Sequence, residues 1–168
     1  MPIEDITMLV LDVDGVLTDG KMILTAEGDE LKHFNCKDGA GIKFLLRAGL
    51  DAAIITGRQS RVVEARAKEL GIVHVYQNAK EKMPSFSDLL EKSGLAPERV
   101  AYMGDDLPDI PVMRAAGLAA CPRDAVAEVK DCADIVTEAG GGDGAVREVI
   151  ERILKAQQKW DGIMSRYR

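Results

Sequence analysis

Four consecutive apolar residues, Met8 to Leu11, run straight into two carboxylates one residue apart, Asp12 and Asp14, with Gly15 behind them. An uninterrupted run of this length fits a short strand buried on both faces, as in a parallel sheet. An acid at the end of such a strand loses hydration and needs a partner; two acids there need a cation still more. In an open α/β sheet the carboxyl ends of the strands are where ligands bind. Asp12 therefore reads as a nucleophile or metal ligand and Asp14 as a second functional group. Gly15 turns the backbone so that amides face an anion. A lone Asp-x-Asp also ends strands that bind nothing, so its weight depends on the rest of the chain.

The rest of the chain repeats the pattern. Strands are expected at Leu50–Ile55, Ile72–Tyr76, Arg99–Met103, Leu118–Cys121 and Ile135–Val136. Helices are expected over Ala40–Ala48, Ser60–Leu70, Pro84–Ser93, Ile110–Ala116, Asp124–Lys130 and Ala145–Trp160. Strand alternating with helix means a doubly wound parallel sheet with helices on both faces. At 168 residues with no linker, one domain spanning 1–168 is expected. Between the first strand and the first helix, Met22–Thr25 and Glu30–Phe34 flank the turn residues Glu27-Gly28-Asp29. This is a hairpin flap of about residues 21–34, placed to stand over the site. Its apolar residues are more than a two-stranded ribbon buries alone, so it packs on its own domain or on a second subunit.

Three strand tips carry charge or hydroxyl: Asp12 with Asp14, Thr56, and Asp105 with Asp109. Lys80 or Lys82 adds a cation from a fourth loop. Clustered carboxylates without a cation repel one another and raise their own pKa values. An all-oxygen set of this kind suits Mg²⁺, which keeps several waters and joins a phosphate oxygen. Thr56 and the lysine would hold the remaining phosphate oxygens. Asp12 is placed to attack phosphorus, and Asp14 to protonate the leaving oxygen and then deprotonate a water.

Bulk properties narrow the partners. A net charge of −6 excludes a nucleic-acid backbone as the main partner, since that needs a basic stripe, but leaves room for a small phosphorylated substrate. Aromatics at 4% provide no base-stacking platform. Three cysteines without CxxC spacing fit a reducing cytosol and give no zinc site. No signal peptide or membrane span is expected. Gly140–Gly144 lacks the GK[ST] ending of a nucleotide-binding loop and reads as mobile.

Four motifs in order resemble the haloacid dehalogenase superfamily: DVDGV at Asp12–Val16, Thr56 with Gly57, Lys82 four before Phe86, and GDDLPD at Gly104–Asp109. DVDGVLTDG followed by a hairpin, then NCKDG, TGRQS and GGDGAVREV, narrows the resemblance to the 3-deoxy-D-manno-octulosonate 8-phosphate phosphatases. It covers essentially the whole chain. It implies a Rossmann-like haloacid dehalogenase fold without a cap domain, Mg²⁺ dependence and a small phosphorylated sugar acid as substrate. It also implies a cytosolic homotetramer of lipopolysaccharide precursor synthesis, with hairpins meeting at the centre and a neighbouring subunit covering each site. By the same resemblance Asp12, Asp14 and Asp105 hold the metal, Asp14 through its backbone carbonyl. Asp12, Asp14, Thr56 and Lys82 are catalytic. Substrate contacts fall to Asp14, Asn35, Cys36, Lys37, Asp38, Gly39, Lys43, Arg58, Arg66 and Lys82. Lys37 and Lys43 stand where the family often carries arginine, so the sugar-acid contact loses the bidentate fork there.

The same chemistry on a nine-carbon acid such as 2-keto-3-deoxynonulosonate 9-phosphate is the alternative; Arg58 and Arg66 favour the eight-carbon acid by resemblance. A non-catalytic domain of the same fold is a further alternative, against which intact Asp12 and Asp14 argue. Asp106 either pairs with Lys82 or faces solvent, and Asp109 either caps the following helix or orients a ligand. Within a tail of about 161–168, residues 163–168 are expected to be disordered in an isolated chain, with Arg166 and Arg168 reaching a neighbour's site.

Overall fold

The computed structural model describes residues 3–168. Its centre is strand β1 (Met8–Leu11), all four residues buried. Side chains alternate across the pleat, so Leu9 and Leu11 enter one core and Met8 and Val10 the other. Burial contributes about 1.5–3 kcal/mol for each such side chain, which is why an all-apolar run can only sit in the middle of the sheet.

Two short strands follow, β2 (Ile23–Leu24) and β3 (Glu30–Leu31), paired antiparallel as an isolated ribbon. The main sheet continues with β4 (Asp51–Ile55), β5 (His74–Tyr76), β6 (Val100–Met103), β7 (Leu118–Cys121) and β8 (Ile135–Val136). It is six-stranded in the order β5-β4-β1-β6-β7-β8, and every pairing is parallel. The chain leaves β1 toward one edge through β4 and β5 and returns to build the other through β6, β7 and β8. The point of reversal, beside β1, is where such sheets bind ligands. The register then fixes the site. Leu11 pairs with Ile54 on one side and Met103 on the other, which sets Asp12, Thr56 and Asp105 side by side at the carboxyl edge.

Helices α1 (Cys36–Arg47), α2 (Arg61–Leu70) and α6 (Ala145–Ala156) cover one face; α3 (Lys82–Ser93), α4 (Ile110–Ala115) and α5 (Ala127–Lys130) belong to the other. Val146, Val149, Ile150, Ile153 and Leu154 form the buried stripe of α6, as its periodicity requires.

Several expected boundaries move. Helix α1 begins at Cys36, because Asn35 Oδ1 accepts the Lys37 N–H at 2.8 Å and caps it; the polar run Asn35–Gly39 is therefore a first helical turn. Asp124 does not start a helix, since its carboxylate accepts the Gly141 N–H at 2.9 Å. The last helix stops at Ala156, where Gln158 turns left-handed (φ 57°), and α7 (Trp160–Met164) follows. The tail is thus ordered rather than disordered: Ile163 is buried, Tyr167 packs edge-on against Phe44, and Arg168 pairs with Asp161.

Candidate active site

Beyond Leu11 the chain coils tightly. Leu17 and Thr18 N–H groups return to the Val13 carbonyl at 2.9 and 3.1 Å, and the Thr18 hydroxyl accepts the Gly20 N–H at 3.2 Å. Gly15 holds φ +92°, and a Cβ there would lie 1.9 Å from Asp105 Oδ2. Only glycine lets the coil and the Asp105 loop approach this closely. The Gly140–Gly144 loop presses on the same coil: a Cβ on Gly141 would stand 1.8 Å from the Gly15 carbonyl oxygen. The loop is a buttress, held by the Gly142 N–H on Val16 O at 3.0 Å.

Asp12 and Lys82 share a buried contact, with Lys82 Nζ 3.0 Å from Asp12 Oδ1 and 2.6 Å from Asp109 Oδ1. Of the two candidate lysines, Lys82 is the one at the strand tips; Lys80 lies at the cavity rim. Asp109 does not cap the following helix through its side chain; its carboxylate holds Lys82 and the Asp105 loop instead. Its Oδ2 accepts the N–H groups of Asp105 and Asp106 at 3.0 and 3.2 Å, and its Oδ1 accepts from Lys82 and from the buried Tyr102 hydroxyl at 2.6 Å each. Asp106 is exposed, and its side chain accepts the Leu107 N–H at 2.8 Å.

Burial pushes the Asp12 carboxyl up to about 6 despite the Lys82 ammonium beside it. Asp105 is pushed further, to about 8, by burial and then by the charges of Asp12 and Asp109. Burial pulls Lys82 down, but Asp12 and Asp109 outweigh it and its pKa is raised.

Carboxylate oxygens of Asp12, Asp105 and Asp109 lie within 4.8 Å of one another. Asp109 has no lone pair to spare, with four donors on two oxygens. Asp105 is the opposite case: its Oδ1 is buried and has no hydrogen-bond partner among the described residues. A buried orphan oxygen, a raised pKa and an all-oxygen donor set together fit a hard divalent cation between Asp105 and Asp12. The Asp14 side chain points elsewhere. It sits 2.5 Å from Lys32 Nζ and 4.0 Å from Arg58 Nε, so only its backbone remains for a metal.

A cavity of about 480 Å³ opens over these groups and is lined by Asp12, Asp14, Thr56, Arg58, Lys80, Lys82 and Asp105. The other expected substrate contacts do not line it. Asp38 is buried and accepts the N–H groups of Gly144 and Arg147 at 3.3 and 2.9 Å, and so caps α6. Asn35 Nδ2 donates to the Gly142 carbonyl at 3.2 Å. Lys37 is exposed, outside this cavity. Cys36, Gly39, Lys43 and Arg66 line a separate groove. There the Arg66 guanidinium fills the space a Gly39 side chain would need, and its Nε is buried without a hydrogen-bond partner among the described residues.

Lys32 and Tyr102 are site residues the sequence did not single out. The Lys32 side chain is only 4% exposed and also contacts Glu30 at 3.1 Å. Its one sequence signal is that Glu30 and Lys32 alternate onto one face of the flap. Tyr102 reads from sequence as a core aromatic.

Fold and site together define a phosphoryl-transfer hydrolase of the Asp-x-Asp kind, on a sheet without a cap domain. A model of the haloacid dehalogenase-like hydrolases matches residues 37–117. The 3-deoxy-D-manno-octulosonate 8-phosphate phosphatase KdsC of Salmonella typhi is 52% identical over 158 residues, covering 94% of this chain and 84% of that protein. A crystal structure of the Yersinia pestis phosphatase of that name superimposes with a TM-score of 0.94 at 45% identity, covering 96% and 87% of the two chains. The Moraxella catarrhalis phosphatase, solved with magnesium, phosphate and a KDO molecule, gives a TM-score of 0.97 at 41% identity, covering 99% and 96%. The chain belongs to the haloacid dehalogenase-like hydrolases and, among them, to the 3-deoxy-D-manno-octulosonate 8-phosphate phosphatase family.

Proposed function

We propose that the chain hydrolyses 3-deoxy-D-manno-octulosonate 8-phosphate to the free sugar acid and inorganic phosphate. The observation that carries this reading is the buried Asp12–Lys82 contact beside the orphaned Asp105 oxygen, in a chain 52% identical to a phosphatase of that name. Asp12 and Asp105, with the main chain at Asp14, would hold Mg²⁺; when bound, the ion neutralises phosphate charge.

The Asp12 oxygen not facing Lys82 attacks phosphorus. The bond from phosphorus to the sugar oxygen breaks, giving an aspartyl-phosphate, and Asp14 delivers a proton to the departing oxygen. Asp14 then takes a proton from water, whose oxygen attacks phosphorus, releasing phosphate and restoring Asp12. Lys82 and Thr56 hold phosphate oxygens throughout, so positioning and charge carry most of the rate. Lys32 and Arg58 orient the Asp14 carboxylate from the flap side.

Arg58 reaches the cavity while Arg66, Lys43 and Cys36 line a groove apart from it. These two sets act on one substrate if the Arg66 groove faces the site of a neighbouring subunit. A homotetramer with hairpins at its centre supplies that arrangement. The exposed Met22, Leu24 and Leu31 of the flap, each at least half exposed, are its apolar contact. The reading places the enzyme in the cytoplasm, making lipopolysaccharide precursor. No described helix is long and apolar enough to cross a membrane.

Phosphate release across a panel of sugar phosphates, with and without Mg²⁺, tests the activity. We expect Mg²⁺-dependent turnover highest on the eight-carbon acid phosphate. Preference for the nine-carbon acid phosphate would overturn the substrate, and turnover unaffected by chelation would overturn the metal.

A further inference from the structure

We infer that Lys80 is the specificity residue that receives the substrate's carboxylate, the anion remote from the phosphate. This rests on the activity proposed above.

Three cations line the catalytic cavity, and two are committed. Lys82 is held by Asp12 and Asp109, and Arg58 by Glu30 at 3.2 Å with Asp14 nearby. Lys80 alone makes no ion pair and no side-chain hydrogen bond among the described residues. Against these cations the lining sets five carboxylates. A divalent ion offsets that excess and serves the phosphate, so within this chain's own cavity Lys80 is the cation left for a second anion. A sugar carboxylate entering past Asp14 and Asp106 meets like charge unless a cation awaits it.

Lys80 is also held in place. Its loop is stitched to the Thr56 loop by the Ala79 N–H on Thr56 O at 3.0 Å, the Asn78 N–H on Arg58 O at 3.3 Å and Asn78 Nδ2 on Gln59 Oε1 at 3.1 Å. Gln77 Oε1 accepts the Ser60 N–H at 2.7 Å. Asn78 adopts a left-handed φ of 55°, a conformation with a cost that asparagine tolerates best among residues bearing a Cβ. The loop thus carries an uncommitted ammonium on a backbone fixed against the phosphate-binding strand tip, the preorganisation that selective binding needs.

The test compares kcat/KM on the eight-carbon sugar acid phosphate with kcat/KM on a neutral hexose 6-phosphate, for wild type, Lys80→Met and Lys80→Arg. In Lys80→Met the ratio falls about tenfold, the loss of one charged contact, through KM on the acid and not through kcat. Lys80→Arg restores the ratio, because a guanidinium also pairs with a carboxylate. An unchanged ratio in Lys80→Met, or equal loss on both substrates, overturns the inference while leaving the activity in place. Wild type that releases no phosphate from the sugar acid phosphate overturns both.

Discussion

Lys82 Nζ stands between two buried carboxylates, 2.6 Å from Asp109 and 3.0 Å from Asp12. One cation therefore serves the proposed acceptor of phosphorus and the residue that folds the Asp105 loop. Removing it strands two buried negative charges, a change that costs about 3–5 kcal/mol. Lys82→Ala should lower Tm sharply and reduce kcat by about 10²–10³-fold. Tyr102→Phe keeps the ring and deletes only the hydroxyl on Asp109. It should cost about 1–2 kcal/mol in urea unfolding and loosen Lys82, so that kcat falls by less than in Lys82→Ala. Wild-type kcat in both variants would show that this network is structural only.

Stability should depend on pH and metal together. Asp12 and Asp105 rise from 3.8 to about 6 and about 8 on folding. Between those values the native state holds more protons than the unfolded chain, so stability of the metal-free protein falls as pH rises from about 4 to about 8. Mg²⁺ binds the ionised carboxylates. Its addition should therefore raise Tm more at pH 8 than at pH 6. A metal-free Tm that climbs over this range, or an equal Mg²⁺ effect at both pH values, would contradict the assignment.

Asp38 separates a structural role from a substrate contact. Its carboxylate caps α6 across 106 residues of chain by meeting the Gly144 N–H. Asp38→Ala should lose about 1–2 kcal/mol of stability, in line with other lost caps, with KM unchanged for the folded fraction. A raised KM at full stability would return Asp38 to the binding surface.

Two glycines with similar backbones should behave differently. Gly15 and Gly28 both hold positive φ, at +92° and +89°, but Cβ at Gly28 meets open space while Cβ at Gly15 meets the Asp105 carboxylate. Gly28→Ala should cost about 1–2 kcal/mol, the left-handed penalty alone, and keep activity. Gly15→Ala should in addition displace Asp105 and abolish the Mg²⁺-induced rise in Tm. Thermal melts of both variants, with and without Mg²⁺, decide this.

The sheet and its catalytic edge were legible because both follow from local rules. Met8–Leu11 has one home, the sheet centre, and parallel register then carries Asp12, Thr56 and Asp105 to one edge whatever the helices do. Helix ends were less legible. Asn35 looks like loop until its side chain is seen capping Lys37, and Gln158 gives no sign that it will turn left-handed. Tertiary contacts were illegible for a different reason: Asp38 and Gly144 meet across most of the chain, and no spacing encodes that. The glycine run reads as mobile from sequence alone because close packing on Gly15 leaves the same signature as flexibility. Lys32 and Tyr102 escaped notice because a flap lysine and a strand tyrosine are ordinary until Asp14 and Asp109 are found beside them.

The central claim is that Asp12 carries the phosphoryl group. Rapid acid quench of enzyme mixed with radiolabelled sugar acid phosphate, in Mg²⁺, measures label on the protein. Wild type should show transient, alkali-labile label, and Asp12→Asn should show none while releasing phosphate at least about 10⁴-fold more slowly. Label on the Asp12→Asn protein, or phosphate release at a rate near that of wild type, would contradict the account.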